Sequence, residues 1–410
     1  MRILPNLLLL LAATSLTFLL ALCAAGSDRQ DSADVHAFIL KDECPPSFMR
    51  NAVNACEFVS LYQNYSSPDG FGGLRVPLPS ARDGFSPQEI DLGRYLFFDP
   101  LLSGDRKTSC AHCHHPDYGY ADGLAVSVGF GGEGVAGTRE KGVILARAAP
   151  TLWNTGFLKR YFWDARADSL EQQATGPLFS ELEMGNTEAR LETDINGNAV
   201  YRSLFQGVYD LEPGEAIVSR QIIRAITAFE ASLVSLNSRY DRYAHGDQNA
   251  MTPLEIRGHN VFRSFVARCS QCHTPPLFTN GEVAVIGSPE PPGKPFDAGA
   301  DLVFKGTALV GGFKIPTLRN ITKTAPYMHS GAFESLEDVV AFYNDERGHA
   351  APSNQNLIIH WHITDPDLGN AEEAALIAFL KTLDDESMAP IVPVAVPSGL
   401  EVVGVTKRQY

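Results

Sequence analysis

Two five-residue motifs constrain this chain more than anything else in it. Cys110-Ala111-His112-Cys113-His114 and Cys269-Ser270-Gln271-Cys272-His273 both read Cys-x-x-Cys-His. That spacing is the attachment signature of c-type haem: two thiols add across the two vinyl groups of one porphyrin, and the adjacent histidine falls on the iron as axial ligand. A zinc site would use the thiolates themselves as ligands, and a thioredoxin-like redox pair has no need of a following histidine twice over. The chain must therefore fold around two large flat cofactors, two haems c. Cys110, Cys113 and His114 hold the first; Cys269, Cys272 and His273 hold the second.

The motifs lie 159 residues apart in similar surroundings. Ser86-Pro87-Gln88-Glu89 opens an apolar stretch ending at Phe98, and Thr252-Pro253-Leu254-Glu255 opens another ending at Phe265. A hydroxyl at N-cap, proline at N1 and glutamate at N3 make a capping box, so each stretch predicts a helix running towards a haem-attachment turn. The pattern suggests duplication of one small helical unit. Residues 221–235 carry Ile222, Ile223, Ile226, Phe229 and Leu233 at helical spacing, and residues 370–383 place Ala374, Ile377, Ala378 and Leu380 on one face. Long strands with period-two alternation are scarce. The expected fold class is mainly α: two cytochrome c-like helical haem domains with long irregular connections.

The organisation expected is a signal peptide over residues 1–25, an N-terminal extension over 26–83, a first haem domain over 84–245, a second over 246–388, and an extended or disordered tail over 389–410. Arg2 followed by an apolar run to Cys23-Ala24-Ala25 reads as a secretory signal, the competing reading being an uncleaved membrane anchor. Periplasmic export agrees with the place where bacterial c-type haem is attached. Six of the seven cysteines remain after cleavage, and Cys44 and Cys56 lie outside the haem motifs as candidates for a disulfide. Lys and Arg total 33 against 48 Asp and Glu, a formal net charge of −15, which argues against a nucleic-acid backbone as partner.

Further stretches narrow the class. They are Ala149-Pro150-Thr151-Leu152-Trp153-Asn154, Phe162-Trp163-Asp164-Ala165-Arg166-Ala167 followed by Gln172-Gln173-Ala174, the pair Glu183-Met184, Pro316-Thr317-Leu318-Arg319-Asn320, and Ala325-Pro326-Tyr327-Met328-His329-Ser330-Gly331. With the two haem motifs, the chain resembles the bacterial di-haem cytochrome c peroxidase family, which includes MauG-like enzymes, over residues 85–385. The resemblance implies that the N-terminal haem is the peroxide site and the C-terminal haem the electron relay. It implies His114 as proximal ligand of the peroxide-site haem, Glu183 as the acid–base residue over that haem, Gln173 beside it, and Trp163 between the two haems. A carboxylate so placed can carry a proton from the inner to the outer peroxide oxygen, as O–O heterolysis requires. The resemblance also implies a calcium ion between the domains, with the carbonyls of Thr324 and Pro326 as ligands. Ala148 stands where an asparagine ligand is usual.

Two positions depart from the standard peroxidases. The family's loop after the first motif supplies a histidine that caps the resting iron. Here no histidine occurs between His115 and His245, residues 123–147 contain seven glycines, and Phe130 stands near the capping position. Phenylalanine cannot ligate iron, so the first haem is expected to rest five-coordinate or water-bound and to need no reductive activation. Tyr343 occupies the place of the methionine that is the far ligand of the second haem, and MauG-like proteins carry tyrosine there. A phenolate is a harder, anionic donor that lowers the reduction potential.

These features imply a di-haem oxidoreductase that reduces hydrogen peroxide at the N-terminal haem, with the C-terminal haem relaying electrons through Trp163 from a small cytochrome or copper protein. One alternative is a MauG-like enzyme that uses peroxide to oxidise Trp or Tyr residues of a partner protein. Another is a non-enzymatic di-haem electron carrier. His360-Trp361-His362 has no third ligand nearby and makes a weak metal site.

Overall fold

Glycines at two helix crossings set how the elements stack. The computed structural model describes residues 38–62, 78–306, 308–345, 357–385, 387 and 389–403. The expected signal peptide lies outside them. In chain order the first unit contains α1 (Pro87–Phe98), α2 (Leu170–Phe179), α3 (Glu188–Gly197), α4 (Ala199–Tyr209) and α5 (Ser219–Ala231). The second contains α6 (Arg239–Ala244), α7 (Pro253–Phe262), α8 (Cys269–Cys272), α9 (Leu336–Asp345) and α10 (Asn370–Leu380). The described strands form two small antiparallel ribbons, β1 (Phe48–Arg50) with β2 (Cys56–Phe58) and β3 (Val283–Val285) with β4 (Gly312–Lys314). The protein is mainly helical.

In each unit the helix entering the haem turn crosses a later helix at a glycine. A Cβ on Gly93 of α1 would lie 1.8 Å from the Ala225 carbonyl of α5, and one on Gly258 of α7 would lie 1.8 Å from the Ala375 carbonyl of α10. The next contact is again equivalent, the Cβ of Phe229 in one unit and of Phe379 in the other. A shared backbone-to-backbone approach of this kind supports duplication more firmly than the motifs alone. Around it, Leu92, Leu96, Tyr201, Phe205, Ile222 and Ile226 form the first core, and Phe262, Phe278, Phe379 and Leu383 the second.

The helix starts follow the capping chemistry, with one difference. Thr252 and Glu255 cap α7 reciprocally, Thr252 N donating to Glu255 Oε2 at 2.7 Å. Ser86 caps Glu89 N in α1, but the Glu89 carboxylate turns away to accept from Arg224 Nε at 2.7 Å and the Tyr209 hydroxyl at 3.0 Å. Tertiary partners outcompete the local cap there. Helix α7 stops at Phe262 rather than Phe265, because residues beyond it turn towards the haem motif, and Phe265 is left 78% exposed.

Three connections tie the units together. Helix α6 sends Tyr240 into the second core, its ring 5.0 Å from that of Phe278, and Asp241 pairs with the fully buried Arg319. The N-terminal extension holds a Cys44–Cys56 disulfide beside the β1–β2 ribbon, and the Tyr62 hydroxyl donates to Asp241. Residues 389–403 return as an extended strap over the first unit. Val396 is buried there, Ser398 Oγ donates to Asp99 at 2.6 Å, and Asn198 Nδ2 donates to the Pro397 carbonyl at 3.0 Å.

The crossing predicts a sharp contrast. Gly258→Ala should lose about 1–3 kcal/mol of stability or more, because the obstructing atom is backbone and cannot rotate away. Gly207→Ala in α4, where a Cβ meets nothing within 4 Å, should gain about 0.5–1 kcal/mol. Thermal unfolding of the two variants checks this, and equal melting temperatures would contradict it.

Candidate haem sites and the path between them

The second motif sits on α8, preceded by Arg268 in the left-handed conformation that turns the chain from α7 into the motif. His273 Nδ1 lies 3.2 Å from the Phe278 carbonyl and 3.1 Å from that of Pro316. A carbonyl only accepts, so Nδ1 carries the proton and Nε2 is left for a metal. Burial pushes the imidazole down to about 4, which keeps it in the neutral, ligating form. Cys269, Cys272 and His273 border a mostly apolar cavity of about 230 Å³, and Tyr343, Met328 and Trp163 line it too. Burial raises the Tyr343 phenol, and the neighbouring Cys269 and Cys272 thiols push it the same way. The cavity thus brings together the predicted attachment residues, His273 and Tyr343. It also contains Met328, so sulfur and phenol donors both face this space.

Lys314, which ends β4, lines the same cavity, and among the described residues its ammonium has no carboxylate partner. Burial pushes it down to about 8. An orphaned cation, two thiols outside any disulfide and an aimed imidazole fit a haem c, whose propionates would supply the missing counter-charge.

The first motif begins in a single helical turn over Cys110–His112, capped at Ser109. His114 Nδ1 lies 2.9 Å from the Tyr120 carbonyl, the same device as at His273, and burial again lowers the imidazole. His112 and His115 are both buried and serve the backbone: Ser109 N donates to His112 Nδ1 at 2.9 Å, and Asp117 N to His115 Nδ1 at 3.2 Å. Neither is a surface residue.

Glu183 lies in the turn after α2, and Gln173 is half-buried on that helix. Burial raises the Glu183 carboxyl above its ordinary range, with Arg166 pulling weakly the other way. Cys113 Sγ donates to the Val128 carbonyl at 3.9 Å, and a Cβ on the next residue, Gly129, would lie 3.2 Å from Glu183 Cα, so the Glu183 turn packs on the loop that touches the first motif. The glycine-rich loop closes on the same turn. Phe130 N donates to the Leu182 carbonyl at 2.9 Å, and a Cβ on Gly129 would lie 2.0 Å from that oxygen. Phe130 itself covers Gly185, whose added Cβ would lie 2.5 Å from the ring.

Trp163 stands at the junction. Its indole N–H donates to the Ala148 carbonyl at 2.9 Å, and its own carbonyl accepts from Lys314 N at 2.6 Å. Ala148, Ala149, Pro150 and Thr151 line the second cavity, and Thr151 Oγ1 donates at 2.6 Å to the carbonyl of Gly119, the residue before Tyr120, whose carbonyl holds His114. One short stretch therefore touches both sites, with Trp163 fastened to it. Arg147 locks the junction, bonded to Asp164 at 2.7 Å and to Asp297 at 2.6 Å. Buried His329 joins from the other side, 2.9 Å from Glu290 and stacked 3.7 Å from the Phe313 ring. Thr324 and Pro326 also border the second cavity, and Thr324 packs close to Gly119 of the first unit.

Sequence reasoning missed the carbonyls that aim the histidines, because backbone acceptors carry no residue signature. It also missed Lys314, whose one hint is its place two residues before the Pro316 signature.

The comparisons agree with this geometry. A family model described as di-haem cytochrome c peroxidase matches residues 87–249. The chain is 34% identical over 318 residues to the methylamine utilization protein MauG of Methylorubrum extorquens, covering 78% of this chain and 84% of that one. It is 32% identical over 340 residues to the cytochrome-c peroxidase IdrP2 of Pseudomonas sp. strain SCT, covering 76% of this chain and 85% of that one. A crystal structure of a MauG-like protein associated with microbial copper homeostasis superposes with a TM-score of 0.64 at 30% identity, over 79% of this chain and 96% of that one. A c-type di-haem protein is thus defined by site and fold together. The chain belongs to the di-haem cytochrome c peroxidase family, in its MauG-like part, and carries two covalently bound haems c as a peroxide-dependent oxidoreductase.

Lys314→Met should lower the reduction potential of the second haem, since a cation lining its cavity favours the reduced iron. Lys314→Arg should retain it. A spectroelectrochemical titration of the two variants decides, and an unchanged potential in Lys314→Met would sink the pairing.

Proposed function

We propose that the chain reduces hydrogen peroxide at the haem held by Cys110, Cys113 and His114, while the haem held by Cys269, Cys272 and His273 relays electrons by way of Trp163. The observation that carries this is the packing of the Glu183 turn on the loop beside Cys113, a loop that contains no histidine. When bound, the haem iron supplies the electrons and the Lewis acidity for cleaving the peroxide bond. Glu183 takes the proton from one peroxide oxygen and delivers it to the other. A raised carboxyl suits both halves of that task, because it neither holds its proton too weakly nor releases it too readily. Phe130 and the loop glycines offer no side chain that could bind iron, so a haem held by His114 would stay open to peroxide on that side. Gln173 orients the peroxide beside Glu183. Each turnover consumes two protons and two electrons and yields two waters.

Tyr343 would hold the second haem together with His273, and their place in one cavity supports that role. The same feature favours a second reading, in which the oxidising equivalents are spent on Trp or Tyr side chains of a partner protein. For the first reading the donor is a small cytochrome or copper protein, and a formal charge of −15 favours a basic one. A calcium ion at the junction would rest on the Thr324 and Pro326 carbonyls and on water. Among the described residues no group of three or more His, Cys, Asp or Glu could hold a metal. We assign the protein to the periplasm on its N-terminal run, and no described helix is long and apolar enough to cross a membrane.

Glu183→Gln keeps the shape and removes the proton carrier. Its reaction with peroxide, followed by stopped-flow at the haem Soret band, should slow by about a hundredfold or more. A rate equal to wild type would remove Glu183 from the mechanism.

A further inference from the structure

Trp361 is 73% exposed, yet it is neither loose nor isolated. Its segment is pinned to β3 by His360 N, which donates to the Val285 carbonyl at 2.8 Å. The indole lies 3.7 Å, centroid to centroid, from the His362 ring and 6.1 Å from that of His360. His362 lines the second haem cavity together with Arg268, Cys269 and Cys272. The Arg268 guanidinium sits 4.8 Å over the exposed Phe265 ring. One rim of the cavity therefore presents Trp361, Phe265 and Arg268 to solvent, the residue types that anchor protein partners.

We propose that Trp361 is the redox port of the second haem, through which a basic redox protein is oxidised. This rests on the peroxide reading above. The exposed indole gives one electron inward through its contact with His362 and becomes a radical cation. Its N–H can yield a proton to water, and one electron from the partner, with a proton from water, restores the indole. Two such cycles supply both electrons that one peroxide consumes. The negative charge of the chain draws a cationic partner, and the rigid aromatic rim gives it a place to sit.

The test uses the di-haem holoprotein, hydrogen peroxide and a basic ferrocytochrome c as the probe, with Trp361→Phe and Trp361→Tyr. In Trp361→Phe the kcat for ferrocytochrome oxidation should fall about tenfold or more with KM unchanged, and Trp361→Tyr, still redox-active, should recover much of it. The peroxide-induced Soret change should keep its wild-type rate in both. With excess peroxide and no donor, Trp361 should gain one oxygen from water as it loses two electrons, seen by peptide mass spectrometry. Wild-type kcat in Trp361→Phe, equal losses in the Phe and Tyr variants, or an unmodified Trp361 would each overturn the port. A missing Soret change in the wild-type protein would overturn the peroxide reading itself, and the port with it.

Discussion

Each haem histidine is aimed by the backbone. His114 donates Nδ1–H to the Tyr120 carbonyl, and His273 donates to those of Phe278 and Pro316. That bond selects the tautomer, fixes the ring and leaves Nε2 as the only nitrogen for iron. The carbonyls hold position because the turns that bear them are packed on the crossed helices, and the helices cross closely because Gly93 and Gly258 carry no side chain. Covalent attachment, ligand geometry and helix packing thus form one construction, built twice.

What distinguishes the two copies is the opposite face of each cofactor. At the second site a cavity wall brings Tyr343 and Met328 into the same space as His273. At the first, the loop that would supply a capping histidine offers glycines and Phe130 and folds against the Glu183 turn. One centre is furnished for holding and passing electrons, the other for admitting an oxidant. In the proposed function Trp163 couples them, because the stretch it grips, Ala148 to Thr151, lines the second cavity and holds the turn that aims His114. The ion-pair cluster of half-buried Arg147 and Asp297 with buried Asp164 prevents that stretch from shifting.

Much of this was legible in the residues. The haem motifs state their chemistry directly, and proline with an N-cap hydroxyl marks where α1 and α7 begin. The pairing of α1 with α5 and of α7 with α10 was not legible, because a helical glycine reads only as a weak point until its partner carbonyl is known. Glu89 looked like a cap and serves Arg224 instead, a choice made by tertiary contact. The valine-rich tail could be read as an arm or as disorder; burial of Val396 and the Asp99–Ser398 bond make it a strap. His360-Trp361-His362 suggested at most a poor metal site. Its place on the haem rim depends on where β3 carries it, which no local pattern records.

The central claim is that one iron keeps a face free of protein ligands while the other is held on both. Low-temperature EPR of the resting, fully oxidised holoprotein tests it most directly. The account predicts one high-spin and one low-spin ferric signal in equal amounts, the low-spin signal changing in Tyr343→Phe. Two low-spin signals, each from an iron with side chains on both axial positions, would contradict it.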